Sequence, residues 1–156
     1  MIRTLVLGIG NTLLSDEGIG VHVIEFLRRQ HSAPTGVVYL DGGTLSFTLA
    51  GEIEVADNLI VVDAAQLGDP PGTVLCMTGS RMDRFLGSGR RSVHEVGLLD
   101  LLDIARLTDT LPENRALVGI QPDIIDWGEQ PTAAVSAAIP IAADQISTLL
   151  AAWRCQ

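Results

Sequence analysis

The chain has 156 residues, 47% of them hydrophobic, with a mean hydropathy of +0.33. That is enough to bury one core of ordinary domain size and too apolar for a disordered chain. Its 19 acidic residues against 10 basic ones, all arginine, give a formal charge of −9, which excludes a nucleic-acid binder built on clustered positive charge and a polybasic membrane-surface protein. The two cysteines, Cys76 and Cys155, make no CxxC pair, so neither a zinc knuckle nor a thioredoxin-type redox site is on offer. Residues 1–8 lack the long apolar stretch of a signal peptide, and no apolar run nears the roughly 20 residues of a membrane helix. The expectation is a soluble cytoplasmic protein with a single domain over 1–156, no nucleic-acid partner and no membrane.

In chain order, Thr4 to Ile9 is a β-branched run stopped by Gly10-Asn11, the first expected strand. Glu17 to Arg29 places Ile19, Val23, Ile24 and Leu27 on one helical face, with Arg28 and Arg29 in the last turn, where the helix dipole favours cations. Val37 to Leu40 is the second strand, ended by Asp41-Gly42-Gly43, and Leu45 to Val55 the second helix. Leu59 to Val62 runs into Asp63 as the third strand; Val74 to Met77, after the turn Pro70-Pro71-Gly72, is the fourth. Gly79 to Val93, carrying Arg81, Arg84, Arg90 and Arg91, reads as irregular and exposed. Glu95 to Leu107 is an apolar helix, Ala116 to Ile120 a fifth strand closed by Gln121-Pro122, and Ala133 to Trp153 an Ala-rich helical region kinked or restarted at Pro140. Short apolar runs alternating with helical segments predict an α/β sheet covered on both faces.

Ligands of open α/β sheets bind at the carboxyl ends of the strands. Three groups fall there: Glu17 in the segment from Gly8 to Gly20, Asp63, and His94 just before a helix. A dinucleotide reading of Gly8-Ile9-Gly10 fails, because the third glycine would be Leu13 and because Asp16-Glu17 would set like charge against a pyrophosphate. The plain alternatives are structural. Ser15 or Asp16 would cap the helix, with Glu17 complementing its dipole. Asp63 would cap the following turn, and His94 would be a loop or capping residue. His22 and His31 read as structural. Gly18 and Gly20, costly in a helix, suggest that something approaches this turn closely. Taken together, Glu17, Asp63 and His94 are an O,O,N set suited to a divalent first-row metal with open positions. Hydrolase signatures are missing: His94-Glu95 opens an HExxH that fails at Leu98, no GxSxG elbow is present, and no aspartic dyad triplet occurs.

The block from Leu5 to Val21, with Gly8-Ile9-Gly10-Asn11 and Asp16-Glu17-Gly18-Ile19-Gly20-Val21, closely resembles the hydrogenase maturation endopeptidases. Asp41-Gly42-Gly43-Thr44, Val61-Val62-Asp63-Ala64, Pro71-Gly72-Thr73, His94-Glu95-Val96-Gly97-Leu98 and Leu117-Val118-Gly119-Ile120-Gln121-Pro122 follow in the family's order. The resemblance implies a three-layer α/β/α sandwich with a twisted, mostly parallel five-stranded sheet. It also implies an endopeptidase that removes the C-terminal extension of a nickel-loaded [NiFe] hydrogenase large-subunit precursor. The metal-interacting residues it implies are Glu17, Asp63 and His94, with nickel supplied by the precursor as recognition signal and other divalent metals able to substitute. Glu17 or Asp16 would serve as general base, while Asn11, Asp41, Gly42 and Gly43 would shape the cleft. The simplest assembly is a monomer meeting its client transiently. Two alternatives stand beside this: a non-enzymatic nickel metallochaperone using the same three ligands, and a peptidase of the same fold acting on a different precursor.

Overall fold

The computed structural model describes residues 1–30, 32–44, 47–88 and 93–155, and of residues 93–96 the backbone only. His31, Leu45, Arg90 and Arg91 therefore lie outside the described residues. Five strands, β1 (Thr4–Ile9), β2 (Val37–Gly43), β3 (Asn58–Ala64), β4 (Val74–Thr78) and β5 (Asn114–Ile120), form one sheet in the order β2-β1-β3-β5-β4. β1 pairs parallel with β2 and β3, β3 parallel with β5, and β4 runs antiparallel along the outer side of β5. Every residue of β1 and β3 is buried, as expected for central strands covered on both faces.

The strand alternation sorts the apolar residues into two layers of core. Val6, Ile60, Val62 and Val118 face α1 (Ile19–Gln30) and α6 (Ile139–Arg154), meeting Ile24, Leu27, Ile146 and Trp153. Leu5, Leu7, Leu59, Val61 and Leu117 face the other way, onto Ile53 of α2 (Leu49–Glu54), Met82 and Leu86 of α3 (Ser80–Gly87), and Leu98 and Leu102 of α4 (Val93–Leu107). The fold is the α/β/α sandwich that the sequence resemblance implied.

Four details depart from the sequence expectations. The turn Ser15–Gly18 is a separate 3-10 turn, and α1 begins only at Ile19. The close approach that Gly18 and Gly20 suggested is made by the protein itself. A Cβ on Gly20 would overlap the carbonyl oxygens of Val62 and Ile9, and one on Gly18 would press on the Thr12 backbone. Gly8 matches Gly20 from the strand side, since a Cβ there would collide with Ile24 and the Gly20 carbonyl. These glycines let α1 lie against β1 and β3 at backbone distance.

The stretch expected to be irregular contains helix α3 instead. Met82 and Leu86, four residues apart, are fully buried, and Gly79 enters the helix at φ 54°; two fully buried residues and the half-buried Phe85, set among exposed arginines, make too faint a stripe to be read from sequence. Helix α3 is held by Asp83, which accepts from Arg115 Nη2 at 2.6 Å and Nε at 3.0 Å and pairs with Arg106 at 3.2 Å.

Finally, the segment 133–154 has the length of a membrane-crossing helix and holds an 18-residue window of mean hydropathy 1.4, contrary to the reading that no run approaches that length. In the fold it is divided into α5 (Ala133–Ser136) and α6, with Pro140 in the first turn of α6. Ala142, Ala143, Ile146, Leu150 and Trp153 give α6 a stripe packed into the core.

Candidate active site

The residues singled out by sequence gather at the carboxyl ends of β1, β2 and β3. Gly8 of β1 lies between Asp41 of β2 and Val62 of β3 in the pairing register, so Asp63 stands one step beyond it. A register shift between Gly8 and Ile9 sets Ile9 opposite Gly43, and Gly10 N–H donates to the Gly43 carbonyl at 2.8 Å. Asp41 accepts from Gly43 N–H at 2.8 Å and so holds the end of β2 in a tight turn. Asn11 does the same for the loop after β1, its Oδ1 accepting from Leu13 N–H at 3.0 Å. Between these two turns lies a cleft of about 290 Å³, lined by Gly10 to Leu13 on one side and by Asp41, Gly43 and Thr44 on the other. Asn11, Asp41 and Gly43 thus border one cleft, whereas Gly42 faces inward, toward Leu7 and Leu49.

Asp63 is fully buried and Glu17 is 7% exposed. The 3-10 turn that carries Glu17 packs against β3, which carries Asp63. Gly10, at φ 149°, is what allows this: any side chain there would run into the Glu17 carbonyl. His94 lies in the first turn of α4, and its side chain is outside the described residues. α4 has 15 residues, roughly 22 Å of helix. It leads back to the amino end of β5, which places its first turn toward the carboxyl end of the sheet. Among the described residues no group of three His, Cys, Asp or Glu side chains is close enough to hold a metal; the expected set includes the one side chain that is not described. Carboxylate oxygens at this end, joined by an imidazole, remain the donor chemistry of a first-row divalent cation.

Asp16 does not cap α1, contrary to the structural alternative drawn from sequence. The turn has no side-chain cap, and the Asp16 carboxylate points across to the segment 123–132. Its Oδ2 accepts from Asp123 N–H, Ile124 N–H and Thr132 Oγ1, each at 2.9 Å, and its Oδ1 accepts from Thr132 N–H at 2.6 Å. The carboxylate is fully buried, and these four bonds match the roughly four acceptor positions a carboxylate offers.

Further bonds sew the same two segments together. Ser15 N–H donates to the Gly128 carbonyl at 2.8 Å, Gly128 N–H to the Leu13 carbonyl at 2.9 Å, and Asp16 N–H to the Ile124 carbonyl at 3.2 Å. Ser15 adopts φ 52°, unusual for a residue with a side chain, and its hydroxyl donates to the Asp126 carbonyl at 2.8 Å. A Cβ on Gly128 would come within 2.7 Å of that hydroxyl oxygen. The residues from Leu13 to Glu17 and from Asp123 to Thr132 therefore behave as one rigid piece, and Glu17 is placed by it.

Sequence reasoning missed Thr132, Gly128 and Gln121. The Gln121 side chain accepts from Leu67 N–H at 2.7 Å and Gly68 N–H at 3.2 Å, tying the loop after β3 to the end of β5. All three act on partners more than fifty positions away, so no local pattern exposes them.

Known proteins resemble the chain over nearly its whole length. The HycI family model, described as hydrogenase maturation protease, matches residues 21–149. The hydrogenase expression/formation protein HupD of Bradyrhizobium diazoefficiens is 39% identical over 152 residues, covering 97% of this chain and 79% of that protein. The hydrogenase 2 maturation protease of Escherichia coli is 36% identical over 150 residues, covering 96% and 91%. Among solved structures, the hydrogenase maturating endopeptidase HybD of Escherichia coli superposes with a TM-score of 0.88 at 36% identity, over 98% of this chain and 93% of that one. HybD of Thermococcus kodakarensis gives 0.81 at 27% identity, over 95% and 99%.

Proposed function

The chain belongs to the hydrogenase maturation proteases, and on that premise we propose that it removes the C-terminal extension of a nickel-loaded [NiFe] hydrogenase large-subunit precursor. It is a peptidase. The observation that carries the reading of its site is the burial of Asp63 and Glu17 on touching elements at the carboxyl end of the sheet, the end where the chain also brings the first turn of α4.

Nickel enters as part of the substrate. Glu17, Asp63 and His94 complete the coordination of the precursor's nickel, with other divalent metals able to substitute, and so dock the precursor with its scissile segment in the adjoining cleft. A precursor without nickel is not held in reactive geometry, so positioning converts metal recognition into selective cleavage. Hydrolysis requires a water to attack the scissile carbonyl carbon while a base takes its proton and returns it to the departing amine. Of the two carboxylates considered for this role, Asp16 has its acceptor positions committed to residues 123–132. Glu17 is therefore the stronger candidate for the base, and Asp16 the group that fixes where Glu17 stands. A reducing compartment such as the cytoplasm fits two free cysteines, one half-buried and one exposed, and a transient meeting with the precursor needs no more than a monomer.

The test is an intact-mass assay of a hydrogenase large-subunit precursor incubated with this protein, once nickel-loaded and once nickel-free. Loss of a C-terminal peptide from the loaded sample alone is the expected result. Equal cleavage of both samples would remove nickel as the signal, and no cleavage of either would remove the assigned substrate.

A further inference from the structure

Beside the cleft lies an apolar surface that the chemistry above does not use. Trp127 is 80% exposed, and Leu13, Ile124 and Ile125 are each about half exposed. Single exposed apolar residues are ordinary, but a set on two adjoining loops marks a contact surface. Leu13 and Gly128 are hydrogen-bonded to each other, so the four residues sit on the two segments that the Asp16 carboxylate pins together.

The rim of this surface is acidic. Asp123, Asp126 and Glu129 are exposed around the apolar residues, and no Arg, Lys or His occurs anywhere from 116 to 153. We infer that this surface, centred on Trp127, is where the protein grips its precursor, through an apolar segment of the precursor flanked by basic residues. The inference rests on the precursor-processing function proposed above, and it adds a recognition element separate from nickel.

Three observations commit the surface to that occupant. It is continuous with the cleft, which Leu13 helps to line, so whatever lies in the cleft extends across it. It is rigid, since Ser15, Asp16 and Gly128 hold its backbone, and a preordered loop loses little freedom on binding. The charged residues of its own loop, Asp123, Asp126 and Glu129, are all acidic, which favours a cationic segment and accelerates encounter. Exposed tryptophan at the centre of a polar rim is also the composition of an interface hot spot.

Binding of the nickel-loaded precursor is measured directly by biolayer interferometry, alongside cleavage kinetics. Trp127→Ser and the pair Ile124→Ser with Ile125→Ser should each weaken the Kd and raise KM by about tenfold or more, with kcat changed less than about twofold. Asp123→Lys with Glu129→Lys should slow association and flatten its salt dependence. Leu107→Ser, at the far end of α4 and 88% exposed, should leave Kd unchanged. Thermal melting checks that each variant is folded.

An unchanged Kd in both apolar variants would overturn the surface, as would failure of the wild-type protein to bind the precursor at all. Binding without cleavage by the wild-type protein would instead refute the proteolytic reading, and the Kd ratios would still judge the surface.

Discussion

Asp16 and Glu17 are neighbours in sequence with opposite structural commitments, and substitution separates them. The Asp16 carboxylate receives only donors, three at Oδ2 and one at Oδ1. An asparagine there, whichever way its amide turns, sets its NH₂ against at least one backbone N–H in a fully buried position. Leaving buried donors unmet costs about 1–3 kcal/mol each, more where a charge was involved, so Asp16→Asn should lose roughly 3 kcal/mol of stability and reduce processing through the displaced turn. Glu17→Gln keeps the side chain's size and an acceptor oxygen while removing the charge and the basic site. It should cost less stability than Asp16→Asn and cut kcat by about a hundredfold or more, the usual scale for a lost general base. Chemical denaturation and cleavage kinetics on both variants decide this. A strongly destabilised Glu17→Gln, or a stable and slow Asp16→Asn, would reverse the assignment of roles.

At the scale of elements, helix α3 is tied to β5 and α4 by an ion-pair cluster as well as by its buried face. Hydrogen bonding from the Arg115 guanidinium holds the Asp83 carboxyl below the usual carboxylate range against the opposing effect of burial, and the charge of Arg106 adds to it. A folded-state pKa below the unfolded one means that the contribution is complete above the unfolded value of about 4 and is lost as pH falls through the lowered value. Asp83→Asn should therefore cost about 1 kcal/mol near neutral pH, roughly 2–4 °C in melting temperature, and make the acid-side fall in stability shallower. Melting curves from pH 7 down to pH 2 read both effects, and parallel acid limbs for the two proteins would remove the linkage.

The same element shows where sequence reading stops. Strands β1 and β3 were legible because burial on both faces leaves unbroken apolar runs, and Asp63 was legible because it ends such a run. Glu17 was found by its motif and its place after β1. Helix α3 was hidden because only Met82 and Leu86 of its eight residues are fully buried, with Phe85 packed beside them. The role of Asp16 was misjudged because its donors lie 107 to 116 positions along the chain, where no spacing rule reaches and a cap is the only local explanation.

For the molecule as a whole, nickel as its substrate's mark and nickel as its own cargo predict different stabilities, which can be read without any client. A ligand bound only by the folded state raises stability by RT ln(1 + [L]/Kd). A metallochaperone with a Kd of about 1 nM, in about 0.1 mM Ni(II), would gain about 7 kcal/mol, or more than 10 °C for a domain of this size. A protease that completes the coordination of a metal already held by its precursor needs only weak affinity of its own. At a Kd of about 1 mM the same nickel adds under about 0.1 kcal/mol, below detection in a melt. The sheet also argues for the second case. Asp63 on a central strand and Glu17 on a turn packed against it make with His94 a set of only three donors, short of a full coordination shell around a free ion, whereas a metal carried by another protein brings its remaining ligands with it. The expected outcome is a melting temperature that barely moves with Ni(II), and an unchanged one for Glu17→Gln under the same conditions. A rise of 10 °C that disappears in Glu17→Gln would show a resident high-affinity site and overturn nickel as a mark carried by the precursor alone.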